Sequence, residues 1–261
     1  MCINYKVLIS TDKGKLRAVN EDNFTIKNIV RESGDKTQHL RANCTSEPLL
    51  CAVFDGMGGE KGGREASQIS ALVAAKLYDY LSSEKQPASE VIQKYVQSAT
   101  GQIRQFLDMN KLNRGGSTFA MAYLNDGTAE LFTMGDSRIY LYRGGRLTRV
   151  SRDHTLAQKK YEANIFTLEE AEESSESHIL TRFLGMDEES PEFFAESYGE
   201  LTLDEGDKLL ICSDGLYDMC SDEEIRRILS VPDQPYTIQL TDKALENGGE
   251  DNVTCIVIEK V

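Results

Sequence analysis

The sequence has no stretch of Lys and Arg dense enough to hold a phosphate backbone: 29 basic residues face 43 acidic ones, for a formal charge of −14. Nucleic-acid binders gain affinity when clustered cations release counterions, so that class is disfavoured and a monomeric acidic enzyme fits better. Long apolar runs are also missing. No window approaches the roughly 20 apolar residues that span a bilayer. The opening holds only the short run Val7-Leu8-Ile9, and no cleavable apolar segment is read there. The expectation is a soluble, cytoplasmic chain with no membrane partner. The six cysteines, at 2, 44, 51, 212, 220 and 255, form no C-x-x-C pair and no zinc-like spacing, and are read as reduced thiols. Cys51, Cys212 and Cys255 lie inside apolar runs, as small core residues do. The composition, 40% hydrophobic and 28% charged over 261 residues, is that of a globular chain able to bury a large core, which excludes disorder and fibre.

Short apolar, β-branched runs bounded by turn residues predict strands at Lys6 to Ile9, Phe24 to Val30, Leu49 to Phe54, Phe119 to Leu124, Ala129 to Met134 and Ile139 to Tyr142. Lys208 to Cys212 and Val253 to Glu259 complete the set. Asn125-Asp126-Gly127 and Arg143-Gly144-Gly145 offer the positive φ of tight hairpins, so the strands around them should be antiparallel. Two amphipathic patterns fall between the third and fourth strands, one from Ala66 to Tyr80 and one from Val91 to Leu107, with the three-four spacing of helices that cover a sheet face. Ser221 with Glu224 has capping-box form ahead of a short helix through Leu229, and another helix is expected from about Pro235 to Glu246. Hairpin strands with helices inserted in blocks imply an α+β layered domain. Residues 151 to 192 break the pattern: nine acidic residues between Thr167 and Glu192 stand against Arg182 and His178. This segment reads equally as a solvated helical excursion capped by Thr167 and Glu170, or as a substrate-contacting flap.

The carboxylates carry the chemistry. Leu49 to Phe54 runs into Asp55-Gly56-Met57-Gly58-Gly59, and Leu209 to Cys212 runs into Ser213-Asp214-Gly215. In mirror order, Glu250-Asp251-Asn252 precedes the strand from Val253, and Asn20-Glu21-Asp22-Asn23 precedes the strand from Phe24. A carboxylate at a strand end is held by rigid backbone, and the following Gly leaves room for a ligand or exposes a carbonyl. One such corner is a common turn. Four on distant apolar strands imply a cation, because clustered anions repel unless one neutralises them. None of the three histidines, His39, His154 and His178, sits in an acidic corner of the sequence, so oxygen ligation by Mg²⁺ or Mn²⁺ is expected rather than zinc. Such ions, paired about 3.5–4 Å apart, point to phosphate-ester hydrolysis. Arg17, just upstream of Glu21, has a planar fork suited to two phosphate oxygens. Asp136, in the turn Gly135-Asp136-Ser137-Arg138, holds a further metal or is a simple turn aspartate.

At these residues the sequence resembles the metal-dependent protein phosphatases of the 2C type, particularly the compact bacterial members. The resemblance runs in order through Arg17 with Asn20-Glu21-Asp22, Val53 to Gly59, Gly115-Gly116-Ser117-Thr118, Gly135 to Tyr140 and Asp153-His154-Thr155. It continues through Ile179 to Gly185, Ser213-Asp214-Gly215-Leu216 and Asp251-Asn252-Val253-Thr254. It implies one catalytic domain over residues 1–261: a central sandwich of two antiparallel sheets flanked by helix pairs, with a flap at about 151–190. By the same resemblance Asp55 bridges two metal ions, Asp214 and Asp251 complete the first site, and the Gly56 carbonyl contributes to the second. Glu21 and Asp22 would bind the second ion or its waters, Arg17 the substrate phosphate, and Asp136 a weaker third ion with Asp214. The implied reaction is in-line attack on a phosphoserine or phosphothreonine ester by a hydroxide bridging the metals, with phosphorylated proteins, including a serine/threonine kinase, as partners. Met57 stands where many eukaryotic relatives have the His proposed to protonate the leaving group, which leaves a metal-bound water as the preferred acid. None of the six cysteines lies in a phosphate-cradling C-x5-R loop, so thiolate catalysis is not expected. A catalytically silent phosphoprotein-binding module and a metal-dependent nuclease are the alternative readings. The charge of −14 weighs against the nuclease.

Overall fold

The computed structural model describes residues 5–31, 37–44, 48–59, 61–84 and 86–261. In chain order its strands are β1 (Tyr5–Asp12), β2 (Asn23–Ile26), β3 (Ile29–Val30), β4 (Gln38–Cys44), β5 (Leu49–Phe54), β6 (Gly56–Met57), β7 (Gly116–Ser117), β8 (Phe119–Asn125) and β9 (Thr128–Met134). They continue as β10 (Arg138–Arg143), β11 (Arg146–Arg149), β12 (Glu196–Thr202), β13 (Lys208–Cys212) and β14 (Val253–Lys260). The α-helices are α1 (Gly62–Glu84), α2 (Ile92–Asn110), α3 (Leu156–Glu162), α4 (Leu168–Glu173), α5 (Asp214–Tyr217), α6 (Asp222–Ser230) and α7 (Tyr236–Glu246).

Two six-stranded sheets form, one in the order β11-β10-β13-β14-β1-β4 and the other β12-β9-β8-β5-β2-β3, with β6 and β7 as a separate pair. Every pairing is antiparallel. The central strands have apolar residues on both faces because both faces are covered. On β5, Leu49, Cys51 and Val53 meet Ile9, Ile211 and Ile256 of the first sheet in the layer between the sheets. The alternate residues Leu50, Ala52 and Phe54 pack outward on Ala74, Val96 and Ile103 of α1 and α2. On the far side Leu210, Cys212, Cys255 and Val257 pack on Ile225, Leu229 and Leu240 of α6 and α7. The order helix pair, sheet, sheet, helix pair is the expected four-layer α+β sandwich. Each fully buried Phe or Leu in it contributes roughly 1.5–3 kcal/mol of transfer free energy.

The hairpins form as their turns require: Asp126 and Gly127 have φ of 51° and 81°, and Gly144 and Gly145 have 57° and 81°. The capping boxes at Thr167/Glu170 and Ser221/Glu224 are both present, each with reciprocal side chain-to-backbone bonds. The single strand expected over Phe24 to Val30 is instead two. Lys27 turns at φ 54°, and the Thr25 hydroxyl donates to the carbonyls of Lys27 and Ile29 at 3.1 Å each. Strands β4, β11 and β12 were not expected, since their residues are largely polar and they lie on sheet edges. Residues 151–190 carry the short helices α3 and α4 and the 3₁₀ turn Ser175–His178.

Register places all five acidic corners at one edge of the sandwich. Asn23 pairs with Phe54, Val53 with Ala120, and Phe119 with Met134, so β2 begins, β5 ends and β9 ends together. In the other sheet Arg138 pairs with Cys212, Cys212 with Cys255, and Asp12 with Val253. Asp22, Asp55, Asp136, Asp214 and Asp251 each sit within two residues of these ends.

Candidate metal centre

Each acidic corner is fixed by a short polar residue beside it. Asp22 is buried, and its Oδ2 accepts a 2.7 Å hydrogen bond from the Ser213 hydroxyl, across the gap between the two sheets. Its own N–H donates to Asn20 Oδ1 at 3.0 Å. The Asp55 N–H donates to Thr118 Oγ1 at 3.1 Å, the Asp55 carbonyl accepts from the Thr118 N–H at 2.8 Å, and Thr118 Oγ1 lies 2.6 Å from Ser137 Oγ. Thr118 therefore holds Asp55 to the turn that carries Asp136. Asn252 ties three segments together: its Oδ1 accepts from the Glu21 N–H at 2.7 Å, and its amide donates to the Lys13 and Val19 carbonyls at 2.8 and 2.9 Å.

Two glycines close the site. Gly14 has φ +75°, and a Cβ there would lie 2.2 Å from the Asp251 carbonyl oxygen, so only glycine lets this loop press on the Asp251 corner. At Gly56 a Cβ would fall 2.2 Å from the Gly63 carbonyl oxygen, at the start of α1.

The carboxyls perturb one another strongly. Burial, then the charges of Asp214, Asp22, Asp136 and Asp251, push Asp55 well above the usual range. Asp214 is pushed up to about 7, first by burial and then by Asp251 and Asp218, against the lowering effect of a hydrogen bond with Asp55 and of His178. Asp22 also rises to about 7, through burial and the charges of Asp214 and Asp251, although the hydroxyls of Ser213 and Thr254 oppose the rise. Asp136 rises through burial and the charges of Asp214 and Asp153. Glu21 rises mainly through burial. Three buried carboxyl oxygens at the site, Glu21 Oε1, Asp22 Oδ1 and Asp214 Oδ1, have no hydrogen-bond partner among the described residues.

The sequence-predicted residues therefore converge: Asp22, Asp55, Asp136, Asp214 and Asp251 act on one another, and Glu21 stands at the edge of the same group. Gly56 lies beneath it, between Asp55 and the start of α1. Arg17 is there too, but engaged: its Nη2 donates to Asp251 Oδ2 at 2.6 Å while its side chain stays 51% exposed.

Although no histidine stands in an acidic corner of the sequence, the fold brings one to the acids. A ring nitrogen of His178, at the end of the 3₁₀ turn, lies with one oxygen each of Asp214 and Asp218 inside a 4.8 Å group. Sequence separation hides His178, since β12 and β13 lie between it and Asp214. Asp218 had a signal, being four residues after Asp214 on a helical turn and hence on the same face. Ser213, Thr118 and Asn252 were visible only as neighbours of Asp, and their backing role depends on the strand register.

The chain matches the family model described as protein phosphatase 2C over residues 34–250, and it belongs to that family. It is 34% identical over 243 residues to the serine/threonine protein phosphatase PstP of Mycobacterium tuberculosis, with 90% of this chain and 44% of the relative covered. The chain thus spans less than half the length of that relative. It is 31% identical over 258 residues to the protein phosphatase PhpP of Streptococcus pneumoniae, with 97% and 96% covered. Among solved structures, the M. tuberculosis PstP/Ppp phosphatase superposes with a TM-score of 0.77 at 29% identity, covering 98% of both chains. The catalytic domain of PstP in complex with two manganese ions gives 0.76 at 29% identity, covering 99% of both chains.

Proposed function

We propose that this chain is a metal-dependent protein phosphatase that hydrolyses phosphoserine and phosphothreonine esters, with residues 1–261 forming one catalytic domain and residues 151–190 its flap. The observation that carries this reading is the set of three buried carboxyl oxygens that have no partner among the described residues and lie amid mutually repelling acids. Burying such oxygens is costly unless a cation meets them. The donors fit hard divalent ions, being carboxylates and a backbone carbonyl, and the PstP catalytic domain with its two manganese ions supports Mn²⁺ or Mg²⁺. Asp55, Asp214, Asp251 and the Gly56 carbonyl would hold two ions with Glu21 and Asp22, and Asp136 with Asp214 a third. Bound there, divalent ions neutralise phosphoryl oxygens and make water acidic enough to react near neutral pH.

The chain's own groups supply the rest. Arg17, half exposed beside Asp251, would orient the substrate phosphate with its remaining N–H groups, while its Nη2 steadies Asp251. Thr118, Ser213 and Asn252 keep the carboxylates from relaxing apart. A thiol nucleophile has no place in the scheme: Cys212 and Cys255 are buried core residues, and burial pushes Cys255 up to about 12. Phosphorylated proteins, a serine/threonine kinase among them, are the partners this reading implies. The net charge of −14 weighs against nucleic acid. Among the described residues no helix is long and apolar enough to cross a membrane. A monomer in the cytoplasm is the setting that suits the buried thiols of Cys212, Cys220 and Cys255.

The test is release of phosphate from a phosphothreonine peptide with Mn²⁺, with chelator, and after Asp214→Asn. Hydrolysis should stop with chelator, return with Mn²⁺ and be abolished in the variant. Near wild-type turnover by the variant, or activity indifferent to chelation, refutes the assignment.

A further inference from the structure

Beside the metal centre lies the motif Asp153-His154-Thr155. His154 is buried and makes bonds on every side. Its backbone N–H donates to the Gly135 carbonyl at 2.9 Å, and the Gly135 N–H donates to His154 Nδ1 at 2.9 Å. With Nδ1 accepting, the ring hydrogen is on Nε2, which lies 2.7 Å from Glu196 Oε2 and donates to it. The imidazole thus spans from the turn that carries Asp136 to Glu196.

Glu196 in turn leads into the flap. Its Oε1 accepts from Arg152 Nη2 at 2.6 Å, and Arg152 Nη1 lies 2.9 Å from Glu162 at the end of α3. Arg182, at the flap's exit, pairs with Glu192 at 2.7 Å and with Glu196 at 3.5 Å, its guanidinium 4.0 Å from the Phe194 ring centre. The flap's two ends are paired beside His154: the Thr181 N–H donates to the His154 carbonyl at 2.8 Å, and the Leu156 N–H to the Ile179 carbonyl at 2.9 Å. That short pairing delivers His178 to Asp214 and Asp218.

We propose that His154 is a positioning residue that joins the Gly135–Asp136 turn to the flap, so that the placement of Asp136 and the seating of His178 beside Asp214 depend on one imidazole. The turn has other supports, from the Tyr217 hydroxyl to the Asp136 carbonyl at 3.1 Å and from Ser137 to Thr118 at 2.6 Å. Those bind it to the body of the sandwich, whereas His154 binds it to the flap. The metal part of this inference rests on the proposed function; the coupling of turn to flap stands on the hydrogen bonds alone.

The test pairs two variants of the full chain, read by hydrogen–deuterium exchange and by calorimetric titration with Mn²⁺. In His154→Ala, amides of residues 156–179 should exchange about tenfold faster or more, as loss of a hydrogen bond to a charged partner implies, and the weakest Mn²⁺ site should weaken, while amides of β5, β8, β13 and β14 stay protected. Glu196→Ala leaves both Gly135–His154 bonds intact, so flap exchange should rise in the same way while Mn²⁺ binding follows wild type. A folded His154→Ala protein whose flap exchanges within about twofold of wild type overturns the proposal. Should His154→Ala not fold, Glu196→Ala decides alone, and an unchanged flap overturns it. If wild type itself binds no Mn²⁺, the functional reading fails, and the exchange result still judges the coupling.

Discussion

Replacing Asp214 by Asn should make the metal-free protein more stable, not less, at alkaline pH. Folding raises the Asp214 carboxyl from an ordinary value of 3.8 to about 7, through burial first and then the charges of Asp251 and Asp218. A carboxyl raised on folding contributes fully below its unfolded value, near pH 4, and that contribution is lost as pH climbs through about 7. At about 1.4 kcal/mol per pKa unit the folded state at pH 8 carries up to about 4 kcal/mol of charging cost. The neighbouring carboxyls readjust their own protons when one charge is removed, which leaves about half of that, roughly 2 kcal/mol. For a chain of this size 1 kcal/mol moves the midpoint by about 2–4 °C, so Asp214→Asn should melt roughly 4–8 °C higher at pH 8 and level with wild type near pH 4. Thermal unfolding by circular dichroism after chelation measures this. Mn²⁺ at a hundred times its dissociation constant should then raise wild type by about 2.7 kcal/mol and the variant by much less. A chelated variant that melts below wild type at pH 8 would show that the acids are not in repulsion, and the argument for a cation would lose its basis.

Substitutions at three further positions probe the supports. Arg17→Ala should raise KM for a phosphopeptide about tenfold or more, from loss of a charge-assisted contact of about 1.5–3 kcal/mol, while Arg17→Lys, lacking the fork, recovers only part; an unchanged KM contradicts the phosphate role. Gly14→Ala forces a side chain onto the Asp251 carbonyl at positive φ, so it should cost about 1–3 kcal/mol and weaken Mn²⁺ binding, measured by denaturant titration and calorimetry; wild-type values for both would show that the loop yields freely. Thr118→Val removes the acceptor of the half-buried Asp55 N–H and should destabilise by about 1–3 kcal/mol with a parallel loss of turnover, whereas Thr118→Ser should keep both.

Legibility followed burial. Strands β5 and β13 were bounded correctly from the sequence because both of their faces are covered, which leaves runs of apolar residues ended by Asp or Ser-Asp. Strand β12 is exposed along most of its length and β4 reads Gln-His-Leu-Arg, so their pairing partners, not their composition, make them strands. The same division holds at the site. Asp22, Asp55, Asp214 and Asp251 were legible because each interrupts an apolar pattern at its end. His178 was not, because its place beside Asp214 is set by the pairing of Thr155 with Leu180 and by a chain of ion pairs with no local periodicity.

The same register that makes the site also explains why it needs so many polar braces. Bringing strand ends from both sheets to one edge crowds Asp22, Asp55, Asp136 and Asp214 together, where burial and repulsion both oppose their ionisation. A fold with flexible corners would relieve this by splaying Asp22 from Asp214 and Asp55 from Asp136. Here Ser213 of the first sheet's corner holds Asp22 of the second, and Thr118 holds Asp55 and, through Ser137, the Asp136 turn. Each brace is a short hydroxyl with little rotamer freedom to lose on folding. The acids are therefore held where burial and mutual repulsion raise them, and on the proposed reading a divalent ion bound among them would relieve that cost.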